Sequence, residues 1–376
     1  MAEVLGPMTI VSRALPTGVD GTKMAQWLMR EGISFQEFVN QLSLAVGDFN
    51  QELVRDWGWL FALTEELVLE YPDGGAVTEL PEITDLDIPD QVQGETIGHM
   101  IDLKSYGGAV GGSWMFWRDA RRAQINSTIQ TLVNRARWRF EKALLTRFFT
   151  NTENSVGSVG RDVPFVRGTG GDVDFTPPAY AGQSFTTSHD HYMGVASGSV
   201  TLDVQLNNMA ATLEEHGHRA PFRGIVARAD VALYRALTKF VQYVSPIVVA
   251  IDRGGESSGN QLFVRGEPLV SDGLFGHFQS DFGLIELFAT ARVPTNYSGL
   301  HKSYGELNAR NSLKVRVHPQ AGFGFYIVPE ASGNDQFPIK RAVLPFEFGV
   351  SVGEDRTNGV AAFRSGGGTW TNPTIS

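Results

Sequence analysis

The 376-residue chain contains no cysteine. Disulfides, thiolate metal sites and cysteine nucleophiles are therefore excluded, and the absence fits a reducing compartment or indifference to redox state. No window approaches the 18 consecutive apolar residues of a membrane span; the best, "SPIVVAID" at 245–252, is strand-sized. "MAEVLGPMTIVSRALPTG" has no basic segment followed by an apolar run, so it does not read as a secretory signal. Basic charge is scarce too: 31 Lys and Arg against 41 Asp and Glu leave a formal net charge of −10. That balance argues against a dedicated nucleic-acid binder, which needs clustered cations. It does not argue against a wall that holds DNA without adhering to it. "GVDGTK" at 18–23 lacks the spacing and preceding strand of a phosphate loop, and no nucleophile elbow, H-E-x-x-H or G-x-G-x-x-G fingerprint occurs. Asn126-Ser127-Thr128 matches a glycosylation acceptor but lies inside a helical pattern.

Against these absences stand 42% hydrophobic and 19% charged residues, which exclude wholesale disorder, and a length that suggests roughly two domains. Glycine, at 42 residues, exceeds its usual share of about 7% and implies many turns and close backbone approaches. One long stretch escapes this punctuation. "RDARRAQINSTIQTLVNRARWRFEKALLTRFF", at 118–149, holds neither Gly nor Pro, and its basic residues outnumber its acidic ones. As a helix it makes a rod of about nine turns, near 50 Å. At 100° per residue Ile125, Ile129, Leu132, Val133, Ala136, Phe140, Ala143 and Leu144 form an apolar stripe. Gln124, Thr128, Thr131, Arg135, Arg139 and Lys142 share a polar side.

Residues 1–20 read as an extended arm. A helical pattern follows over 22–70, with Phe35, Phe38, Val39, Leu42, Val46 and Phe49 on one face and Ser34 with Glu37 as a capping box. It stops at the turn Pro72-Asp73-Gly74-Gly75. Two extended arms, 77–86 and 97–106, then flank a polar tip with Pro89, Asp90 and Gly94, and Glu79, Glu82, Asp85, Asp87, Asp90 and Glu95 make this ribbon acidic. A two-stranded ribbon is marginal alone in water, so it needs something to lie on, and a neighbouring subunit is the candidate. Residues 151–199 lose periodicity and read as an exposed excursion or contact loop. Order returns with a helix over 202–218 closing on Gly217, a strand at 223–228 and a helix over 229–241. Strand-like runs follow at 259–270, 283–294, 313–319, 322–329 and 339–353. The order is α+β rather than repeating βαβ, with no internal repeat.

His189 with His191 and His216 with His218 have the proximity that zinc and iron sites use, and they support a metal-dependent hydrolase as a distant alternative. Surface and capping roles weigh more, since a third ligand is undefined and His216 stands at a helix end. The aromatic groups Trp57-Gly58-Trp59, Trp114 with Phe116-Trp117, Trp138 with Phe140 and Phe148-Phe149 read first as core and second as subunit anchors.

Three passages carry a resemblance: "IDLKSYGGAV" leading into "RDARRAQINSTIQTL", then "TLEEHGHRAPFRGIVARADVALYRALTK", then "GHFQSDFGLIELFATARVPTNYSGLHKSYG". In pattern and order they resemble the tailed-bacteriophage major capsid proteins, whose fold encapsulin shells and the herpesvirus capsid floor share. The resemblance implies an N-terminal arm with helices over 1–75 and an extended loop over 76–112. It implies a peripheral domain with a spine helix (117–150) over 113–199, an axial domain over 200–345, and strands returning to the peripheral domain over 346–376. It implies a structural, non-enzymatic subunit without cofactor, forming hexamers and pentamers of an icosahedral virion capsid, assembled in the host cytoplasm and touching double-stranded DNA weakly. An encapsulin-type compartment is the alternative within the fold. With a short arm at Met1 in place of a charged scaffolding segment, a separate scaffolding protein is expected, besides a portal protein and a decoration protein. Lys104 is the one lysine near the extended loop, at its base, which speaks against self-cross-linking. The expected inter-subunit pairing sets Glu82, Asp85, Asp87, Asp90 and Glu95 against Arg121, Arg135, Arg139 and Lys142 across a boundary.

Overall fold

Helix α1 (Phe35–Trp57) opens the described chain and buries Leu42, Val46, Phe49, Leu53 and Trp57. The computed structural model describes residues 35–72, 96–113, 121–156, 160–168, 185, 189–248, 264–268, 273–329 and 339–375. The helical pattern expected up to residue 70 ends at Trp57. Two short strands replace its last part, β1 (Phe61–Thr64) and β2 (Val68–Pro72). Packing overrides helix propensity here: β1 runs parallel to a later strand, with Phe61 opposite Leu313, and Phe61 is fully buried.

Strand β2 pairs antiparallel with β3 (Thr96–Met100), from Val68 opposite Met100 to Pro72 opposite Thr96. The first arm of the described ribbon therefore begins nine residues before the expected 77–86, which lies outside the described residues, and only 97–100 of the expected second arm belongs to it. Strand β4 (Lys104–Ser113) follows, then α2 (Arg122–Phe149), the long helix. Beyond it come β5 (Asn154–Val156), β6 (Gly160–Asp162), β7 (Tyr192–Ala196) and α3 (Leu202–Glu215). Helix α3 closes on Gly217 at φ 85°, the left-handed conformation its glycine suits. The region 151–199 is not wholly an excursion, because Val163, Phe165, Val166, Tyr192 and Val195 are buried.

Strand β8 (Phe222–Ala227) precedes a single helical turn, α4 (Val231–Arg235). The helix expected to reach residue 241 ends there, since β9 (Phe240–Gln242) joins a sheet, with Phe240 opposite Phe278. Next come β10 (Val244–Val248), β11 (Val264–Pro268), β12 (Gly273–Ser280), β13 (Gly283–Thr290), β14 (Tyr297–His301) and β15 (Leu313–Arg316). The chain closes with β16 (Val328–Pro329), β17 (Ile339–Val352) and β18 (Val360–Ser365). Most of the strand expected over 322–329 is not one. The Asn50 side chain of α1 takes a strand partner's place, accepting from the Phe325 amide at 2.9 Å and donating to its carbonyl at 3.0 Å.

Two sheets organise these elements. In the first, β1, β15, β17 and β16 lie in that order, and β4 pairs with β17 over ten residues, from Lys104 opposite Phe348 to Ser113 opposite Ile339. The second has seven strands, β7-β18-β14-β8-β13-β12-β9, with β7/β18 and β8/β13 parallel and the rest antiparallel. Helix α2 lies over the first sheet. Glycine at 108 permits this approach, because a Cβ there would strike the Leu132 side chain. Helix α3 packs on the second through Leu206, Met209, Ala210 and Leu213. The division expected at 345/346 falls inside β17, and β15 belongs to the α2-bearing sheet while β18 belongs to the seven-stranded one.

Candidate assembly surface

Twenty-eight residues make α2 a rod of about 42 Å. Its apolar stripe is inward, as the sequence periodicity requires. Ile129, Ala136, Phe140 and Leu144 are buried, together with Leu145, Phe148 and Phe149. Phe140 is the hub: its ring lies 5.5 Å from Phe61, 5.4 Å from Phe323, 5.9 Å from Phe346 and 5.3 Å from Phe348. The opposite face is open. Gln124, Thr128, Thr131 and Arg135 are exposed, and both threonine hydroxyls donate back to carbonyls one turn earlier, Gln124 at 3.0 Å and Ser127 at 2.8 Å. Between this face and β4 runs a groove of about 260 Å³, lined by Ser127, Thr128, Thr131, Leu132, Arg135 and the Gly108–Val110 stretch.

The basic side chains of α2 fall into two groups. Arg121 and Arg135 are exposed and have no ion pair among the described residues. Arg137, Arg139, Lys142 and Arg147 are engaged within their own chain. Arg139 donates to the Tyr106 hydroxyl at 2.7 Å, its guanidinium 4.4 Å from that ring's centre, and Lys142 stands 5.2 Å from the Trp138 ring. Arg137 binds Glu52, and Asp56 at 3.4 Å, on α1. Arg147 is buried and donates to Asp162 at 2.8 Å, and Asp162 also accepts from Ser351 at 2.5 Å. Burial opposes the Arg147 charge, but the Asp162 carboxylate prevails and its pKa is raised.

The acidic tip set against these cations, Glu82, Asp85, Asp87, Asp90 and Glu95, lies outside the described residues, as do Trp114, Phe116 and Trp117. At the ribbon's base the opposed pair Leu69 and His99 is buried on its own chain, while Leu67 and Val68 are exposed. His99 was not singled out in the sequence; burial, acting first, pushes its pKa down to about 4. A lone histidine in an extended pattern gives no periodic signal, so only the fold reveals it. Of the aromatic groups, Trp57, Trp59, Phe140, Phe148 and Phe149 are core, whereas Trp138 keeps a 37% exposure. Around the seven-stranded sheet Val204, Leu233, Val241 and Leu274 are also exposed.

The structure brings the four histidines of the two pairs together. The His191 and His216 rings are 5.0 Å apart, and His189 lies 6.5 Å from His216. Among the described residues, however, no three or more His, Asp or Glu side chains are placed to hold a metal ion. The same residues include no helix long and apolar enough to cross a membrane.

A ribbon, a long helix laid over one sheet, and a helix packed on a second mixed sheet are the arrangement that the resemblance to the tailed-bacteriophage major capsid fold implies. A solved structure of Mycobacterium phage Patience shares it: the TM-score is 0.60 at 19% identity, over 92% of this chain and 92% of that one. Weaker likenesses run to the capsid of cyanophage P-SCSP1u (TM-score 0.45, 10% identity, 83% of this chain and 87% of that one). Another is to a virus-like particle from Pyrococcus furiosus (0.39, 11%, 87% and 99%). The fold assignment rests on the first. No protein-family model matches the chain, and no curated protein does.

Proposed function

We propose that this chain is a major capsid protein, a structural subunit that tiles the icosahedral head of a tailed phage as hexamers and pentamers around double-stranded DNA. The observation that carries the reading is the likeness to a phage structure over 92% of both chains. Two features support it. The long helix keeps a polar face, with Arg121 and Arg135 open, beside a groove that none of the described residues fills. The ribbon has one buried and one exposed side at its base, as a segment reaching from its own subunit to another would.

In this reading the ribbon tip (Glu82, Asp85, Asp87, Asp90, Glu95) meets Arg121 and Arg135 of an adjacent subunit. Arg139 and Lys142, held by Tyr106 and Trp138, contribute field rather than direct contact. A separate scaffolding protein, a portal and a decoration protein are partners of the assembled head, in the virion. Expression of the chain, alone and with a scaffolding protein, followed by negative-stain microscopy, tests this. Closed shells are the expected result. A stable monomer under both conditions that neither sediments as rings nor as shells would overturn the reading.

A further inference from the structure

Where α3 ends, three segments converge on a histidine cluster. His191 enters from the residues just before β7, His216 and His218 from the end of α3, and Asp355, Thr357 and Gly359 from the loop between β17 and β18. The outer rings have acidic partners: His189 Nδ1 lies 2.9 Å from Glu215 Oε2, and His218 Nε2 lies 3.4 Å from Asp355 Oδ2. His218 is further held by the Tyr304 hydroxyl and Thr357 Oγ1, both at 3.0 Å. The inner rings are different. His191 Nδ1 donates to the Gly359 carbonyl at 2.8 Å, which leaves Nε2 as a bare acceptor, buried and without a partner. His216 Nε2 is buried and unpartnered as well, with the two rings 5.0 Å apart. With Nδ1 of His191 already protonated, a second proton on its Nε2 would create a buried cation with no acceptor, and a second proton on His216 would add another cation beside it.

We infer that this cluster is an acid-operated latch, in which protonation of His191 and His216 releases the end of α3 from the start of β7 and the 355–359 loop. Charged and titratable groups surround it on every packed element. The segment before β7 brings His189 and Asp190, and the end of α3 brings Glu214, Glu215 and His218. The 355–359 loop adds Asp355, which favours protonated His216 and His218, and Arg356, which opposes protonation of His191. The stretch from β14 adds His301, Lys302, Tyr304 and Arg310, whose cations oppose protonation of His218. Burial is the leading cause for both inner rings, holding His191 at about 3 and His216 at about 2.

The sign follows from these depressed values. Stability from neutral inner rings is complete above the ordinary pKa of about 6.5 and is lost as pH falls below it, because the open state binds protons first. From pH 7.5 to 5.0 each ring favours opening by about 30-fold, and two together by about a thousandfold.

Hydrogen exchange of the full chain, corrected for intrinsic rates, tests the latch at the amides of Gly217, His218 and Ala361. These amides are bonded to the Glu214, Leu213 and His191 carbonyls respectively. Their protection should fall by about a thousandfold over that range and lie well below that of amides at 129–136 of α2, which open only with the whole fold, and His216→Gln should shrink the pH effect by about thirtyfold. Protection equal to that of the α2 amides at every pH would mean that these amides open only by global unfolding, and would overturn the latch. So would a His216→Gln chain with the wild-type pH dependence. The wild-type pH series decides the question even if the variant does not fold.

Discussion

Around α2 the interior is aromatic and its buried Arg147 is paired with Asp162; around α3 the interior is largely aliphatic, with buried histidines gathered at the helix end. Phe140 has four phenylalanine neighbours, and Arg147 meets Asp162 beneath them. Leu206, Met209, Ala210 and Leu213 instead face the seven-stranded sheet, with His191, His216 and His218 at the end of the helix. A paired ion is insensitive to mild acid because both partners keep their charges until the carboxylate titrates. A neutral imidazole without an acceptor is vulnerable at once below pH 6.5. The difference teaches that one interior is held by packed rings around a paired ion, while the other gathers its buried histidines at the end of a helix.

The largest expected effect falls on the aromatic side. Phe140→Asp removes the hub and buries a charge, at a cost of more than about 5 kcal/mol. Insoluble or unfolded protein is expected, whereas Gln130→Asp on the exposed face should shift the melting free energy by no more than about 0.5 kcal/mol. Similar melting of the two would mean that the inward and outward faces have been exchanged. Breaking the buried pair comes next. Arg147→Met strands Asp162 and should cost about 3–5 kcal/mol in urea unfolding, while Arg137→Met, at a half-exposed pair, should cost about 1 kcal/mol or less.

Acid gives a smaller, distributed effect. His99, His191, His216 and His301 all have pKa values lowered by burial, to about 4, 3, 2 and 3. The unfolded chain therefore takes up protons first, and each ring should lose about 0.7 kcal/mol between pH 7 and pH 6. The urea midpoint should move by the equivalent of roughly 2–3 kcal/mol, and a midpoint constant over that interval would mean that these rings are not held neutral in the folded chain. The smallest effect on the isolated subunit is expected from Asp85→Lys with Asp87→Lys. Melting should stay within about 1 kcal/mol, yet light scattering should report lost or misdirected assembly, partly restored by Arg135→Glu. Assembly that ignores salt and is not rescued would detach the ribbon tip from the α2 face, since screening acts over about 10 Å at 0.1 M.

Much of the α2 side was legible because a helix of that length repeats its apolar signal: Ile129, Ala136, Phe140 and Leu144 are inward as their spacing requires. The open polar side was legible for the same reason. What failed were short elements decided by distant partners. Phe61 and Phe240 sit in helical patterns but extend to pair with Leu313 and Phe278, and the strand-like run at 322–329 yields to the side chain of Asn50. The candidate surface was only half legible. Nothing in the spacing of Arg137 announces Glu52 and Asp56, 85 and 81 residues away, or that Tyr106 would occupy Arg139. The two histidine pairs were visible, but their neighbours Asp355, Thr357 and Gly359 come from the far end of the chain.

Strand β17 joins structures that β4 and β15 would otherwise keep apart. Its first ten residues pair with β4 and its last four with β15. A pull on the ribbon enters β4 at Lys104 and runs along the strand axis, so the rungs of that ladder are loaded in shear, all at once, rather than peeled one after another. At about 3.3 Å per residue the tie is some 46 Å long, close to the length of α2 above it. The helix resists compression and the strand resists tension. Together they brace the sheet beneath α2, in which β4 and β15 both pair with β17.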